Sequence, residues 1–139
     1  MASIDVVIPV YNQGRSLRQC LESLERQTYR DFDVVIVDDG STAPVTVPTL
    51  RYYFAVKIIQ QENRGASAAR NRGAQQGTAP CILFCDADVK LKKNALKSFN
   101  RTLHRNPDAS FAYASFYFGR KLFRLWPYDA SRLRQVPYI

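Results

Sequence analysis

Acidic side chains follow two apolar runs in this chain, at points where we expect buried strands to end. Asp38 and Asp39 follow a run of Val and Ile, and Asp86 and Asp88 follow the tetrapeptide Ile-Leu-Phe-Cys. Two carboxylates so close together repel each other unless a cation lies between them. Mg²⁺ and Mn²⁺ take oxygen ligands and commonly keep water and phosphate in their shell. The Asp86-Ala87-Asp88 spacing therefore predicts a divalent-cation site, and a turn-forming pair of acids is the alternative.

Asp39 has two interpretations that the sequence leaves open. It precedes Gly40, a residue that adopts backbone angles closed to other residues. Its carboxylate is suited to accept a hydrogen bond from the imide N–H of a nucleotide base. Alternatively, Asp39 or Ser41 caps the segment that follows.

Three arginines flank a run of small residues at 65–69, which is typical of a helix that packs closely on a sheet. They are Arg64, Arg70 and Arg72. Backbone N–H groups at a helix start favour anions, and an arginine binds phosphate through two hydrogen bonds. Not all three arginines can face one ligand at this spacing. A solvated arginine face is the alternative interpretation.

Strands and helices alternate along the predicted chain. Residues 4–10 and 32–37 are apolar enough for buried strands, and a helix over 16–27, capped by Ser16, separates them. The other predicted elements are a strand at 57–60, a helix at 66–76, a strand at 81–85, a helical stripe from Leu91 to Leu103, and a strand at 111–118. This order predicts an α/β fold with a mostly parallel sheet flanked by helices. The acids and the Tyr11-Asn12 loop then meet beyond the carboxyl ends of the strands, where ligands bind in such sheets.

Length and composition limit the class of protein. The 139 residues, 46% of them apolar, suit one domain with a real core. No apolar run approaches the roughly 20 residues of a membrane span. The N-terminus carries Asp5 where a signal peptide has positive charge, so we expect no secretion signal. Three unpatterned cysteines are typical of reduced thiols rather than of disulfides or a zinc site. We therefore expect a cytoplasmic protein, peripheral to the inner face of the membrane.

Positive charge is concentrated in the last third of the chain. Residues 1–89 carry 9 basic and 10 acidic side chains, whereas residues 90–139 carry 11 basic and 2 acidic ones. Such an excess attracts phosphates, nucleic acid or an anionic membrane. No nucleic-acid motif accompanies it, so we expect no nucleic-acid partner and favour an anionic lipid surface. A solvated basic face is the alternative.

Five segments together resemble the family 2 glycosyltransferases, inverting enzymes with the GT-A fold, over about residues 3–118. The matching segments are Val7–Asn12, Ser23–Thr28, Val37–Ser41, Asn63–Gly73 and Asp86–Asp88. The resemblance implies a nucleotide-diphospho-sugar transferase fold of the GT-A, Rossmann-like type. The implied substrates are a nucleotide-diphospho-sugar, with a UDP-sugar as first choice, and a saccharide or lipid-linked acceptor.

The resemblance also implies roles for individual residues. These are Pro9 and Tyr11 against the nucleoside, Asp39 on the base, Arg70 near the base or phosphates, Asp86 near the ribose, and Asp88 as ligand of Mg²⁺ or Mn²⁺. The metal stabilises the departing nucleoside diphosphate in such enzymes.

The chain departs from the family pattern after Asp88. A general base in a Glu-Asp pair is expected downstream, but only Asp108 and Asp129 follow, and neither lies in such a pair. We therefore expect the donor-binding part of a longer enzyme, inactive alone, with residues 1–118 as the nucleotide-sugar domain. Residues 119–139 are then the start of an acceptor-binding part. The two prolines within 43–48 also replace a helix usual in the family.

Two other classes remain open. An aspartyl-nucleophile phosphatase also has apolar residues before its first acid, although Lys90 and the lack of a later acidic pair disfavour it. A non-catalytic module that binds a nucleotide or an anionic surface is the second alternative.

Overall fold

A computed structural model describes residues 2–47 and 52–124 of the chain. The elements are β1 (Ile4–Val10), α1 (Gly14–Glu25), β2 (Phe32–Asp39), β3 (Val56–Gln61), α2 (Ala66–Gln76), β4 (Cys81–Phe84), α3 (Ala95–Arg105), β5 (Phe116–Phe118) and β6 (Lys121–Phe123). The chain divides into two compact units, one of residues 1–101 and one that begins at Thr102. The division that we predict after residue 118 remains a prediction.

A four-stranded parallel sheet forms the centre of the first unit, in the order β3-β2-β1-β4. This confirms the predicted α/β class. The chain runs outward from β1 to β2 and β3 and then crosses to the other side of β1 as β4. The order therefore reverses between β1 and β4, and ligands bind in sheets of this kind outside the carboxyl ends of the strands at such a reversal.

Side chains from both faces of the sheet are buried, as parallel sheets require. All seven residues of β1 are buried. One face packs against α1 and α3 through Leu17, Leu21, Leu24 and Leu96. The opposite face contacts Ala69 of α2 through Val7, Val35 and Val37.

The small residues of α2 allow it to lie close to the sheet, as predicted. A Cβ atom added at Gly73 would collide with Cγ1 of Val7 and lie 3.1 Å from Cγ2 of Val37. Gly73 therefore sets how near the helix comes to β1 and β2.

Gln27 anchors the segment that follows the second acidic pair. Its side chain is fully buried, and its amide donates to the carbonyl oxygens of Ser23 (3.1 Å) and Lys92 (2.9 Å). Its Oε1 accepts from the N–H of Leu96 (3.1 Å), and Ser23 Oγ accepts from the N–H of Leu91 (3.0 Å). The end of α1 thereby fixes residues 91–96, which lie a few positions beyond Asp88.

Two predicted elements differ clearly in the structure. The helix α1 begins at Gly14 with Gln13 as N-cap, without a side-chain cap bond, so Ser16 does not cap it. The strand predicted at 111–118 is limited to β5, because only residues 116–118 pair, antiparallel with β6. The strand β6 itself was not predicted.

The second unit contains this hairpin, in which the rings of Phe116 and Phe123 stack at 5.2 Å. None of the helices in the described ranges is both long and apolar enough to cross a bilayer.

Candidate functional site

The predicted acids lie at one edge of the sheet. The strands β1, β2 and β4 are parallel, and Val10 pairs with Asp38 while Val7 pairs with Phe84. The residues that follow these strands therefore leave the sheet at the same carboxyl edge. Strands β2 and β4 lie on either side of β1, so Asp39 and Asp86 flank the loop that starts at Tyr11.

Asp39 is almost completely buried, with 3% of its surface exposed, and it accepts three hydrogen bonds. Its Oδ1 accepts from Gln61 Nε2 (2.7 Å) and from the backbone N–H of Arg64 (2.9 Å). Its Oδ2 accepts from the backbone N–H of Gly65 (2.8 Å). A carboxylate has about four acceptor positions, so Oδ2 retains one for a ligand.

Burial raises the pKa of Asp39, but the hydrogen bonds from Arg64, Gln61 and Gly65 outweigh it and leave the pKa below its ordinary value. The group is therefore an ionised acceptor at neutral pH. Sequence reasoning missed Gln61, although its position at the end of β3, opposite Asp39, follows from the register.

Gly40 makes the turn after Asp39 possible. Its φ is +79°, and an added Cβ would lie 2.8 Å from the backbone nitrogen of Asn63. The loop that brings Arg64 and Gly65 to Asp39 can therefore pass this close only beside a glycine.

Arg70 connects α2 to the other acidic pair. Its Nη2 lies 2.5 Å from Asp86 Oδ1, with both side chains partly exposed. Of the three arginines singled out in the sequence, Arg70 contacts an acid with its side chain and Arg64 contributes its backbone N–H to Asp39. The start of α2 thus contacts Asp39 at one end and Asp86 at the other.

Asp86 and Asp88 are exposed while Ala87 between them is buried. The N–H of Val89 donates to the carbonyl of Asp86 at 3.0 Å, which makes a tight turn. Within residues 2–47 and 52–124, the Asp88 carboxylate has no hydrogen-bond or ion-pair partner.

The acids at this turn fit a divalent cation of the Mg²⁺ type. No group of three or more His, Cys, Asp or Glu in the described residues is placed to hold a metal ion. Mg²⁺ is usually bound by one or two carboxylates and completes its shell with water and substrate phosphates. The free carboxylate of Asp88 and the remaining oxygen of Asp86 match that requirement.

Pro9 and Tyr11 occupy different environments. Pro9 is a buried residue of β1, opposite Val37 in β2 and beyond the last paired residue of β4. Tyr11 is 50% exposed at the carboxyl edge. The ring of Tyr11 is therefore the more accessible surface for a base.

Asp38 faces away from Asp39 and holds the segment that follows. Its Oδ1 accepts from the N–H of Ser41 (3.0 Å) and its Oδ2 from the N–H of Val45 (3.1 Å). The cap of this segment is thus Asp38, not Asp39 or Ser41.

The three cysteines are free thiols, as predicted. Cys20 and Cys85 are buried with their sulfurs 3.8 Å apart. The hydrogen bond to Cys20 is the main cause that raises the pKa of Cys85 well above its ordinary value, and burial raises it further. Cys85 is therefore an unreactive core residue beside the acidic turn.

Comparison with known proteins identifies the family. The model of glycosyl transferase family 2 matches residues 5–138. The chain belongs to glycosyl transferase family 2. This confirms the resemblance inferred from the five segments.

Several known proteins are similar to this chain in sequence or in structure. YibD of Escherichia coli, an uncharacterized glycosyltransferase, is 42% identical over 89 residues, which cover 61% of this chain and 26% of YibD. The crystal structure of S. aureus TarS 1–349 with UDP-GlcNAc is 29% identical with a TM-score of 0.69, and the match covers 77% of this chain and 32% of TarS 1–349. The mannosyltransferase PcManGT of Pyrobaculum calidifontis, solved with GDP-Man and Mn²⁺, is 28% identical with a TM-score of 0.56. The match covers 62% of this chain and 27% of the PcManGT chain.

The chain spans only about a quarter to two fifths of the first two curated relatives that it matches. The solved structures confirm a GT-A type of fold for the part that they cover.

Proposed function

We propose that this chain is the donor- and metal-binding part of a glycosyltransferase. The enzyme moves a sugar from a nucleotide-diphospho-sugar to an acceptor hydroxyl with inversion at the anomeric carbon. The observation that carries the proposal is the contact of one helix start, α2, with both Asp39 and Asp86. A nucleotide that lies along the start of α2 meets the buried, ionised Asp39 at one end and the exposed acidic turn at Asp86 at the other.

Each residue of the edge has a role in this proposal. The ring of Tyr11 packs against the base, with buried Pro9 supporting the strand end beneath it. The free acceptor position of Asp39 receives an imide N–H. Asp86 lies near the ribose, and Arg70, which pairs with Asp86 in this structure, turns its guanidinium toward the base or the phosphates.

Asp88 and the free oxygen of Asp86 would hold Mg²⁺ or Mn²⁺. When bound, the cation neutralises charge on the departing diphosphate. The acceptor oxygen forms its bond to the anomeric carbon as the bond from that carbon to the phosphate oxygen breaks. The electron pair leaves with the nucleoside diphosphate, and the hydroxyl proton goes to a base.

This chain does not supply the general base in the Glu-Asp pair that is expected downstream of Asp88. A positioned general base contributes about 10²–10⁴-fold in rate. We therefore propose that the chain binds the donor and transfers sugar poorly or not at all. Turnover as fast as that of full-length relatives would contradict this part alone.

Isothermal titration calorimetry of the chain with UDP and GDP, with and without Mn²⁺, tests donor binding. UDP is the first choice because TarS, a structural neighbour, was solved with UDP-GlcNAc. We expect binding that needs Mn²⁺ and disappears in Asp88→Ala. Asp108→Asn removes one exposed acid elsewhere and is the matched control. Absence of binding at millimolar nucleotide, or binding unchanged in Asp88→Ala, would contradict the proposal.

A second function has support from charge on α3. Lys97, Arg101 and Arg105 are exposed and spaced four residues apart, which places them on one side of the helix. In the described ranges, none of the three takes part in an ion pair. We propose that this stripe binds the phosphates of an anionic membrane, which would also bring a lipid-linked acceptor to the enzyme.

Vesicle sedimentation tests the membrane proposal. The triple variant K97Q/R101Q/R105Q should lose binding to vesicles with phosphatidylserine, because each cation near the surface contributes about 1 kcal/mol. The control R15Q/R18Q/R26Q removes three exposed charges from the α1 region and should bind like the wild type. Equal sedimentation with neutral and acidic vesicles would exclude the idea.

A further inference from the structure

Asn12 has an unusual backbone conformation next to the candidate site. Its φ is +53°, and it is the one non-glycine residue with positive φ in the described parts of the chain. Asparagine tolerates this region better than most residues, but the conformation persists only where its surroundings enforce it. Asn12 directly follows Tyr11, so the backbone of the two residues is set together.

Three hydrogen bonds enforce this conformation. Asn12 Oδ1 accepts from both the N–H (2.9 Å) and the Oγ1 hydroxyl (3.0 Å) of Thr42. The N–H of Asn12 donates to Ser41 Oγ at 2.9 Å. All three bonds join the loop after β1 to the loop after β2, and we call this set the Asn12 latch.

The latch joins the two loops that flank the proposed base position. Tyr11 lies on one loop, and Asp39, the last residue of β2, lies two residues before Ser41 of the other loop. The backbone N–H of Ser41 also donates to Asp38 Oδ1. These bonds therefore tie the backbone next to Tyr11 to the backbone that follows Asp39.

The rest of the loop after β2 is held by Asp38, which accepts from the N–H groups of Ser41 and Val45, and by the burial of Val45. A cavity of about 670 Å³ lies beside the latch, lined by Asn12, Ser41 and Thr42 and by residues at the start of α1. Asn12 and Thr42 are exposed. Because Asn12 and Thr42 are exposed beside this cavity, their hydrogen bonds rather than core packing join the two loops at this point.

We propose that Asn12 is a positioning residue that pre-organises Tyr11 and Asp39 for the nucleoside of the donor. This inference rests on the proposed donor-binding function. A loop that populates its binding-competent arrangement only part of the time weakens the apparent affinity by that fraction. Loss of the latch should therefore weaken nucleotide binding while leaving the metal turn unchanged.

Three substitutions of Asn12 and Thr42 separate the latch from backbone strain. Asn12→Gly keeps the positive φ without strain but removes the Oδ1 acceptor. Asn12→Asp keeps the acceptor and is the conservative rescue. Thr42→Val removes only the hydroxyl donor. Thr46→Val is the matched control, since Thr46 is exposed on the same loop and makes no hydrogen bond within the described residues.

The dissociation constant of UDP, measured by calorimetry at saturating Mn²⁺, is the readout. We expect about a tenfold weakening in Asn12→Gly and about two- to threefold in Thr42→Val. Asn12→Asp and Thr46→Val should stay within about twofold of the wild type. The double variant N12G/T42V should be no weaker than N12G, because both changes break one interaction.

Further readouts exclude a merely structural role. The Mn²⁺ affinity of Asn12→Gly and its thermal midpoint should match those of the wild type, and amide exchange at Thr42 should be faster. Wild-type UDP affinity in Asn12→Gly, or an equal loss in Asn12→Asp, would overturn the latch while leaving donor binding intact. A wild-type chain that binds neither UDP nor GDP would overturn the proposed function, and the nucleoside role of the latch with it.

Discussion

The two ends of the candidate site are built in opposite ways. Asp39 is buried and its carboxylate already accepts three hydrogen bonds from the protein. Asp88 is exposed and, within the described residues, has no hydrogen-bond or ion-pair partner. The Asp39 end, where the nucleotide base would bind, is therefore organised before any ligand arrives. The Asp88 end is completed by its ligand. Substitution of Asp88 should therefore change metal affinity, whereas substitution of Asp39 should change the free energy of unfolding.

The largest effect is expected from Asp88→Ala. We predict that Mn²⁺ affinity in the presence of UDP falls by at least about 100-fold, since loss of residues that only support metal ligands costs about 10–100-fold. The free energy of unfolding without ligand should stay unchanged, because no hydrogen bond is lost. Parallel calorimetry and urea unfolding measure the two quantities. A stability loss equal to that of an Asp39 variant would erase the proposed difference between the ends.

Asp39→Asn should give the reverse pattern. Its new amide cannot accept from all three donors, so at least one buried N–H is left without a partner. Such a loss costs about 1–3 kcal/mol in the free energy of unfolding. Asp88→Asn is the matched change at the other end and should leave stability within about 0.5 kcal/mol. Equal unfolding curves for the two variants would contradict the assigned roles.

The pH dependence of stability sharpens the same comparison. The folded pKa of Asp39 lies below its ordinary value of 3.8. Its stabilising contribution is therefore fully present above 3.8 and is lost as the pH falls through the folded pKa. Urea unfolding across acidic pH should show a steeper decline for the wild type than for Asp39→Asn. Parallel declines would show that Asp39 does not carry this dependence.

A small effect on stability is also expected at the pair that joins the two ends. Arg70 and Asp86 are both partly exposed, so Arg70→Ala should change the free energy of unfolding by only about 0.2–1 kcal/mol. Its UDP affinity should fall several-fold, because the guanidinium also serves the nucleotide in our proposal. Arg72→Ala, on the same helix, is the control. Unchanged UDP affinity in Arg70→Ala would limit Arg70 to a structural role.

Much of the fold follows from local patterns. The predicted bounds of β1 and α2 agree with the structure, because β1 is apolar except at Asp5 and α2 lies between Gly65 and Gly77. The strand β6 was missed because its formation depends on pairing with β5 rather than on its own pattern. The cap at Ser16 was wrong because the helix begins two residues earlier.

The candidate site was predictable only to the level of the sheet edge. Neighbouring residues of a strand point to opposite faces, so Asp38 and Asp39 necessarily differ in role. Which of them faces α2 depends on tertiary packing, which the sequence alone does not specify. The contacts of Gln61, Asn12 and Gln27 likewise depend on residues far away in the chain. Residues 125–139, with most of the predicted C-terminal segment, lie outside the described part.

The claim that one nucleotide spans both ends is tested most directly by a single NMR titration with UDP and Mg²⁺. The backbone amides of Gly40, Arg64 and Gly65 report the Asp39 end, and those of Asp86 to Val89 report the acidic turn. We predict that both sets shift together and yield one dissociation constant. Shifts at only one end, or saturation of the two ends at different UDP concentrations, would contradict the account.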